Sequence, residues 1–554
     1  MEELLKKSFN IDGFRDKQKE AIQSIIEGKN TLCLMPTGMG KSLIYQYATV
    51  YMRKATIVFS PLLALMDQQR DTLNQTLNKD GFYSTAFNSS IDVKKQLQYL
   101  TYNFKPPFNP SFLFISPEKA MIDGYLAYIL TQHKRNIGLI VIDEAHCVSQ
   151  WGHSFRPAYR LIPHFLKTVF GNETPPILCL TATISHRDEQ EIIKDFGITN
   201  KVVSNSLYRH NISLNILEQQ GNNEDKKTQL ESVLRNYLDE KVIVYTHIKK
   251  REYGTRAMSD QFAEKGFNCA PFDADLPEKE RIETLNRFIS GDLKIVFATT
   301  AFGMGIDIAD IRCVVHYLLP ESLEQYYQEV GRAGRDGKDA HAYFLHTEPN
   351  FRIKRDLIKK GEWSEDSIKI GYEQLLGSKG EDDLPYTGQL DSLDYGEGNK
   401  NLIILLKLIE LGIATIECRG FSEIKCFKEV IPNPSFRAFE QASMKGLIKL
   451  IAKRTNQTII EVQTELFKAL ASGSIKPEKT PSKVIYYTIH RPLNGEIYQQ
   501  IKSDFSQVLE YKLYNLNKLN EVLTGEISMD AALNNELGIT RGDEKQIEFP
   551  ANPL

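Results

Sequence analysis

The sequence predicts an α/β protein with two tandem lobes, each built on a parallel β-sheet, followed by a mainly helical C-terminal region. Short apolar, β-branched runs alternate with helical stretches in two successive parts of the chain, and several of these runs end directly in polar or glycine-containing motifs. Because ligands of parallel α/β sheets lie at the carboxyl ends of the strands, we expect these motifs to share one site.

The composition excludes several classes of protein. The chain has 554 residues, of which 42% are hydrophobic and 25% charged, which is ordinary for a soluble protein of about three or four domains. No apolar run reaches the ~18 residues of a membrane span, and the charged N-terminus lacks the apolar core of a signal peptide. The seven cysteines form no C-x-x-C pair. We therefore expect a reducing, cytoplasmic setting (nucleoid-associated in a bacterium), no zinc and no membrane partner.

The first motif is Met-Pro-Thr-Gly-Met-Gly-Lys-Ser, residues 35–42, between a buried strand at 30–34 and a helix at 43–51. A strand, a glycine-containing turn ending in Gly-Lys-Ser and a helix is the pattern of a phosphate-binding P-loop, although Met35 replaces the usual first glycine. We expect Lys41 to reach the β- and γ-phosphates of ATP and Ser42 to bind Mg²⁺. The cofactor-binding candidates in this loop are Thr37, Gly38, Gly40, Lys41 and Ser42.

Arg15 and Gln18 precede the P-loop in a segment, residues 1–29, that we predict to be helical. Their spacing of three residues places them on one helix face. A glutamine amide can hydrogen-bond two edges of a purine, and a guanidinium can stack on it, so both are predicted to bind the base of ATP. Without the nearby P-loop, two solvated surface residues would be the simpler interpretation.

A second motif, Asp-Glu-Ala-His at residues 143–146, follows an apolar strand at 138–142. Asp143 is predicted to hold Mg²⁺, and Glu144 to orient or deprotonate the attacking water. His146 is predicted to couple this site to whatever binds beside it. The alternative is a helix N-cap with favourable first-turn charge, which the P-loop about 100 residues upstream disfavours.

The next stretch, Gln-Trp-Gly-His-Ser-Phe-Arg-Pro-Ala-Tyr at residues 150–159, is a loop rich in aromatic residues. Aromatic faces stack on bases and arginine binds phosphate, which is how single strands are held without sequence readout. The alternative is that these aromatics pack into the core. The candidates for contacting a nucleic-acid strand beside the acidic motif are His146, Gln150, Trp151, His153, Phe155 and Arg156.

Together, the Gly-Lys-Ser loop, the Asp-Glu-Ala-His motif and the aromatic loop resemble the RecQ family of DNA helicases. The resemblance covers roughly residues 8–345. It implies two tandem RecA-like lobes, ATP-dependent unwinding of DNA, 3′→5′ movement and a loop that couples DNA contact to ATP hydrolysis.

A second alternating set contains strands at 241–246, 294–300 and 313–317. It ends in Gln-Glu-Val-Gly-Arg-Ala-Gly-Arg-Asp-Gly, residues 328–337, whose two arginines can meet the γ-phosphate of ATP across a cleft. A solvated turn is the alternative for this stretch alone. By the family resemblance, Asp307 contacts the ribose, and Gln328, Arg332 and Arg335 line the ATP cleft. We favour Arg335 as the residue that stabilises the transition state.

The resemblance ends after the second lobe. Residues 361–400 contain ten acidic and three basic residues and suggest a weakly ordered linker. RecQ proteins usually carry a four-cysteine zinc module here, but only Cys418 and Cys426 lie beyond residue 340, so the module is predicted to be absent or replaced. The predicted division is 1–205 for the first, ATP-binding lobe, 206–345 for the second, 346–400 for an acidic connection, 401–495 for an accessory domain and 496–554 for a helical tail.

The accessory domain has two interpretations. A helix at 402–411 followed by a hairpin of strands at 413–417 and 423–427 suggests a winged-helix unit, and a small helical scaffold is equally open. Residues 431–520 carry thirteen basic and seven acidic residues, among which Tyr486, Tyr487 and His490 can contact nucleic acid. A solvated face is the commoner outcome of such a mild charge bias.

The sequence therefore predicts an ATP-dependent DNA helicase or translocase that uses ATP and Mg²⁺. Its expected partners are single-stranded and tailed duplex DNA, together with proteins that bind the C-terminal region. The alternatives are an RNA helicase, which the aromatic loop disfavours, and a nucleic-acid-binding scaffold with a weak motor, which the intact Lys41, Glu144 and Arg335 disfavour. DNA repair, recombination and defence against mobile DNA all stay open as pathways.

Overall fold

In a computed structural model, the chain forms two parallel-sheet lobes and a C-terminal region that contacts both. The described residues are 1–36, 38–61, 63–77, 81–87, 111–149, 156–204, 209–218, 223–246, 252–300, 302, 308–377, 385–390, 397–425, 445–475 and 482–537. Among them, no helix combines the length and apolar character needed to cross a membrane.

The first lobe is a seven-stranded parallel sheet with strand order β3-β4-β2-β5-β6-β1-β7. Four of its strands are buried along their whole length because helices cover both faces, which explains why the sequence shows continuous apolar runs there. The strands are β1 Thr31–Leu34, β2 Ala55–Phe59, β3 Tyr83–Phe87, β4 Ser111–Ile115, β5 Ile137–Ile142, β6 Ile177–Thr181 and β7 Asn200–Val203.

Eight α-helices are described in this lobe, and short 3₁₀ turns lie at Lys134–Asn136, Ala145–Val148 and Pro157–Leu161. The helices are α1 Glu2–Phe9, α2 Gln18–Ile26, α3 Lys41–Met52, α4 Leu63–Leu77, α5 Pro117–Ile122, α6 Gly124–Gln132, α7 Ile162–Phe170 and α8 His186–Phe196. The predicted helical segment at 1–29 is thus two helices, with Arg15 in the connection between them.

The second lobe repeats the plan with six parallel strands in the order β10-β11-β9-β12-β13-β8. The strands are β8 Ile212–Glu218, β9 Lys241–Tyr245, β10 Cys269–Phe272, β11 Ile295–Ala298, β12 Ile311–His316 and β13 Ala340–His346. Its described helices are α9 Asn223–Arg235, α10 Thr255–Glu264, α11 Glu278–Ser290 and α12 Leu323–Val330. The prediction of two parallel α/β lobes is confirmed.

The C-terminal region, which we define as residues 348–537, surrounds a three-stranded antiparallel sheet of order β14-β18-β15. Its helices are α13 Glu348–Lys359, α14 Glu365–Leu376, α15 Glu397–Glu410, α16 Ile448–Thr455, α17 Ile459–Ser472, α18 Gly495–Leu523 and α19 Met529–Leu537. Its strands are β14 Tyr386–Leu390, β15 Ala414–Phe421, β16 Glu423–Lys425, β17 Lys445–Leu447 and β18 Lys483–Ile489.

The predicted hairpin between 413–417 and 423–427 is wrong. Strand β15 pairs with β18, and β16 pairs with β17. Alternation along the chain identifies a strand from its own residues, whereas its partner is chosen by the tertiary fold.

Two further expectations for the C-terminal region are corrected. The acidic stretch does not form a simple linker, because α14 buries Ile368, Tyr372 and Leu375 against helix α15. Tyr486 and Tyr487 are core residues, with exposed fractions of 0% and 1%. Their hydroxyls donate to the carbonyls of Phe421, at 2.9 Å, and of Leu375, at 2.7 Å, so neither is available to nucleic acid.

The C-terminal region packs on both lobes. Phe421 and Phe467 join the core of the first lobe beside Tyr125, with the rings of Phe467 and Tyr125 5.9 Å apart. Leu516 and Leu519 of α18 join the core of the second lobe. The C-terminal region therefore connects the two lobes.

Candidate active site at the cleft between the lobes

The P-loop runs from the end of β1 to the start of α3 and depends on its glycines. Gly38 and Gly40 have φ angles of +80° and +75°, in the left-handed region that favours glycine. A Cβ atom on Gly40 would also lie only 2.8 Å from Nε2 of Gln18. The loop begins beside β6, where the amide of Met35 donates to the carbonyl of Thr181 at 3.1 Å.

Lys41 lies among the other charged groups of the site. Its ammonium group donates to the carbonyls of Met35, at 3.0 Å, and Pro36, at 3.3 Å. Burial lowers the pKa of Lys41, and Arg335 acts in the same direction, whereas Glu144 and Asp143 raise it. The two acidic residues of the first lobe and an arginine of the second therefore all act electrostatically on the P-loop lysine.

Gln18 and Arg15 both contact the P-loop. The Gln18 amide donates to the carbonyls of Met39, at 3.0 Å, and Gly40, at 3.1 Å, and Arg15 donates to the carbonyl of Gly38 at 3.3 Å. The backbone amide of Arg15 in turn donates to Gln18 Oε1 at 2.8 Å. They do not share a helix face, because α2 begins at Gln18, but the structure brings both to the nucleotide loop.

The acidic pair lies at the carboxyl end of β5. Burial, and then the charge of Glu144, raise the pKa of Asp143 to about 7, while Lys41 lowers it. Glu144 has a φ of +49°, which is strained for a residue other than glycine and fits the sharp turn that places both carboxylates together. Tyr159 holds this turn by donating to the carbonyl of Asp143 at 2.9 Å.

The oxygen donors here suit Mg²⁺. The phenol of Tyr45 donates to Gln69 Oε1 at 2.9 Å, and the Gln69 amide donates to Ser42 Oγ at 3.3 Å. Burial, and then the charge of Asp143, raise the pKa of Tyr45, so the two proposed metal-binding groups lie in one neighbourhood. A hydroxyl and a carboxylate are the ligands that Mg²⁺ accepts. Within the described ranges, no group of three or more His, Cys, Asp or Glu side chains is placed to hold a metal ion.

A line of polar contacts leads from Glu144 to the second lobe. His146 Nδ1 lies 3.4 Å from Glu144 Oε2 and 3.1 Å from Thr181 Oγ1. Since the Thr181 hydroxyl donates its proton to the carbonyl of Thr183 at 2.7 Å, we assign the imidazole proton to Nδ1. Gln328 of α12 completes the line by donating to Thr183 Oγ1 at 3.0 Å.

The two arginines of the second lobe occupy different positions. Arg335 lies on the P-loop, where its Cγ would be 3.6 Å from a Cβ atom added to Gly38. Arg332 hydrogen-bonds the phenol of Tyr245, which lowers the pKa of that phenol, although burial raises it overall. The structure thus brings Arg335 to the loop that would hold the phosphates, and Arg332 to Tyr245 of its own lobe.

Arg209 is a site residue that sequence reasoning missed. It donates to the carbonyl of Gly334 at 2.7 Å, and its Nη1 would lie 3.8 Å from a Cβ atom on Gly38, so it touches both halves of the cleft. Burial lowers its pKa, and Arg335 lowers it further. Arg209 lies outside every motif of the sequence, so no local pattern indicated its position at the cleft.

Other predicted site residues fall in two groups. Arg156 is described and donates to the carbonyl of Pro61 at 2.7 Å, so it is anchored inside the first lobe. The remaining ones lie outside the described residues: Thr37, Gln150, Trp151, His153, Phe155 and Asp307.

Comparison with known proteins identifies the two lobes. Residues 15–192 match the DEAD/DEAH box helicase family, and residues 225–337 match the helicase conserved C-terminal domain. RecS of Bacillus subtilis, named as an ATP-dependent DNA helicase, is 31% identical over 75% of this chain and 80% of its own. The chain belongs to the RecQ family of helicases. This confirms the resemblance found in the sequence.

Other relatives of this RecQ-family chain carry different names. The ATP-dependent DNA helicase RecQ of Bacillus subtilis is 33% identical over 65% of this chain and 58% of its own. A protein of Acanthamoeba polyphaga mimivirus, named as an ATP-dependent RNA helicase, is 35% identical over 65% of this chain and 63% of its own. The chain thus matches less than two thirds of the length of either relative.

Solved structures support the fold. The DUF1998 helicase MrfA bound to DNA superposes with a TM-score of 0.52 at 19% identity, covering 64% of this chain and 52% of that one. Saccharomyces cerevisiae Dbp5 bound to RNA and ADP BeF3 gives a TM-score of 0.50 at 18% identity, covering 65% of this chain and 91% of that one. At this identity the likeness shows a helicase fold in the two lobes and nothing about substrate.

Proposed function

We propose that this protein is an ATP-dependent DNA helicase or translocase, which moves 3′→5′ on single-stranded DNA and separates tailed duplexes. The observation that carries the proposal is the contact across the cleft: Gln328 bonds to Thr183, and Arg335 lies against Gly38 of the P-loop. A nucleotide bound there would touch both lobes, so its hydrolysis would change how they sit together.

The proposed catalytic roles follow from position. Lys41 would bind the β- and γ-phosphates, and Arg335 would stabilise the charge of the transition state, supported by Gln328 and Arg332. Glu144 would orient the attacking water and accept its proton, with His146 Nδ1 lying 3.4 Å from Glu144 Oε2 beside it. Mg²⁺, held by Ser42 and Asp143, would neutralise phosphate charge when bound.

The base and ribose contacts belong to the same proposal. Arg15 and Gln18 would bind the base from their position against the P-loop, and Asp307 would contact the ribose. His146, Gln150, Trp151, His153, Phe155 and Arg156 would couple DNA to this site. We further propose a cytoplasmic location, no zinc module, and protein partners for the C-terminal region.

RNA is the second candidate substrate, because one relative is named as an RNA helicase. The tryptophan-containing loop after the acidic motif favours DNA, since it is the part of the sequence most specific to the RecQ resemblance.

The test is ATP hydrolysis measured with no nucleic acid, with single-stranded DNA and with single-stranded RNA of the same length and base order. We expect DNA to stimulate turnover more than RNA, and both Lys41→Ala and Glu144→Gln to abolish it. Greater stimulation by RNA would reassign the substrate. Absence of ATP hydrolysis by the wild-type chain would indicate that the protein is a nucleic-acid-binding scaffold instead of a helicase.

A further inference from the structure

Arg209 lies where the chain passes from the first lobe to the second. It stands between β7 of the first lobe and β8 of the second, three residues before β8 begins at Ile212. It belongs to none of the motifs of the sequence. Its side chain is half-buried and lies beside residues 332–335, the turn from Arg332 to Arg335, which we call the arginine turn.

Three hydrogen bonds hold the guanidinium of Arg209 in the second lobe. Its Nη2 donates to the carbonyl of Gly334 at 2.7 Å and to that of Ala333 at 3.3 Å. Its Nε donates to Asn211 Oδ1 at 3.3 Å. These acceptors are neutral oxygens, so they orient the guanidinium without neutralising its charge.

Asn211 holds the same turn without a charge. Its Nδ2 donates to the carbonyls of Gly334 and Lys338, each at 2.8 Å. Gly334 has a φ of +56°, and a Cβ atom there would lie 2.5 Å from Asn211 Nδ2. A charged side chain and a neutral one therefore share one acceptor, the carbonyl of Gly334.

The remaining nitrogen of Arg209, Nη1, is next to the P-loop of the first lobe. It would lie 3.8 Å from a Cβ atom on Gly38, and Cγ of Arg335 would lie 3.6 Å from the same atom. Arg15 donates to the carbonyl of Gly38 at 3.3 Å. One arginine of the first lobe and two of the second thus meet at a glycine of the loop that would hold the phosphates.

Positive charge is unfavourable at this position unless an anion is near. Burial lowers the pKa of Arg209, and the charge of Arg335 acts in the same direction. Tyr327 and Asp336 raise it, but Asp336 also forms an ion pair with Arg312 at 2.6 Å. A bound anion would offset both the burial and the repulsion between the arginines.

We propose that Arg209 is a phosphate-binding residue of the ATP site: anchored on the arginine turn of the second lobe, its guanidinium binds phosphate oxygens of a nucleotide held by the P-loop of the first. The inference rests on the proposed ATPase function and names a further residue of its substrate site. Arginine suits this role because its planar fork can donate to two acceptors at once, here the Gly334 carbonyl and a phosphate.

The test measures nucleotide affinity without hydrolysis. The β,γ-imido analogue of ATP, with Mg²⁺ and no nucleic acid, is titrated calorimetrically into the full chain as wild type, Arg209→Gln and Asn211→Ala. For Arg209→Gln we expect the Kd to rise about tenfold to a hundredfold, because a hydrogen bond between two charged groups is lost. Asn211→Ala removes the other donor to Gly334 and no charge, so its Kd should stay within about twofold of the wild type.

A third variant, Arg209→Lys, tests the need for the fork. Lysine keeps the charge but cannot bind the Gly334 carbonyl and a phosphate in the same fixed geometry, so its Kd should rise about threefold to tenfold. Thermal unfolding of each variant shows whether it is folded. If Arg209→Gln does not fold, Arg209→Lys decides, and a Kd within about twofold of the wild type would overturn the proposal.

The outcomes separate phosphate binding from a purely structural role and from the proposed function. Equal Kd values for wild type and Arg209→Gln would show that Arg209 makes no phosphate contact. Equal increases in Arg209→Gln and Asn211→Ala would show that Arg209 only holds the arginine turn. A wild-type protein that binds the analogue but does not hydrolyse ATP would contradict the proposed function alone, because the affinity comparison needs no turnover.

Discussion

At the residue scale, charged groups from both lobes act on the P-loop lysine. Burial and the charge of Arg335 lower the pKa of Lys41, and the charges of Glu144 and Asp143 raise it. Arg335 also lies beside Gly38 of the P-loop, since its Cγ would be 3.6 Å from a Cβ atom at that glycine.

The two arginines give a prediction at this scale. Arg335→Lys should lower kcat for ATP by at least about 1,000-fold with little change in KM, because an arginine that stabilises a phosphoryl-transfer transition state is worth about 10³–10⁵ in rate. Arg332→Lys should have a smaller effect, since Arg332 contacts Tyr245 within its own lobe. Steady-state kinetics of both variants check this. A larger loss in Arg332→Lys than in Arg335→Lys would assign the transition-state role to Arg332 instead.

The residues of the cleft differ in how visible they are in the sequence. Lys41, Asp143 and Glu144 were predictable because each lies in a short motif at the end of an apolar strand. Arg209 was not, because it reaches the cleft through a tertiary contact with the carbonyl of Gly334. A residue whose partners are far away in sequence leaves no local pattern.

Asp188 gives a pH dependence. Burial and the charge of Glu324, with a smaller effect of Glu191, raise its pKa to about 7, while Ser149 and Ser185 lower it. In the unfolded chain Asp188 loses its proton near pH 4, so its contribution to the free energy of unfolding is full below pH 4 and is lost as pH rises to about 7.

The variant Asp188→Asn tests this pH dependence. Because asparagine does not titrate, the variant should lose less stability than the wild type between pH 4 and pH 7, by at most about 4 kcal/mol. Urea unfolding at several pH values measures it. Parallel pH profiles for the two proteins would show that Asp188 has an ordinary pKa.

At the element scale, strands buried on both faces were the easiest to predict. Strands β1, β2, β5 and β6 are buried along their whole length, and each is visible in the sequence as a continuous apolar run. Strand β3, which lies at the edge of the sheet with an exposed Tyr83, gave too weak a pattern. The C-terminal sheet could not be predicted because β15 and β18 are separated in sequence by helices and are paired only by the tertiary fold.

Gly124 gives a prediction for how the C-terminal region attaches to the first lobe. A Cβ atom there would lie 2.0 Å from the backbone oxygen of Arg419 in β15 and 2.9 Å from the ring of Phe467. Since backbone cannot move aside as a side chain can, Gly124→Ala should separate helix α6 from β15 and lower the stability by several kcal/mol. Urea unfolding measures this change.

Gly13→Ala is the matched control, because nothing lies within 4 Å of a Cβ atom at that position. It should change the stability by less than about 0.5 kcal/mol. If Gly124→Ala were equally neutral, the close contact between α6 and β15 would not exist in solution.

At the scale of the whole molecule, the C-terminal region is part of the motor rather than a tail attached to it. It joins the core of the first lobe through Phe467 and that of the second through Leu519. Arg160 adds an ionic contact, with Asp195 at 2.7 Å on one side and Glu410 of the C-terminal region at 2.8 Å on the other. Relative movement of the lobes must therefore strain or release these contacts.

The most direct test of the central claim is strand displacement with ATP and Mg²⁺ on three duplexes, bearing a 3′ DNA tail, a 5′ DNA tail or a 3′ RNA tail, with Glu144→Gln as the blank. The account predicts unwinding of the 3′ DNA-tailed duplex alone, and none by the variant. Unwinding from the RNA tail or the 5′ DNA tail, or unwinding that persists in Glu144→Gln, would contradict it.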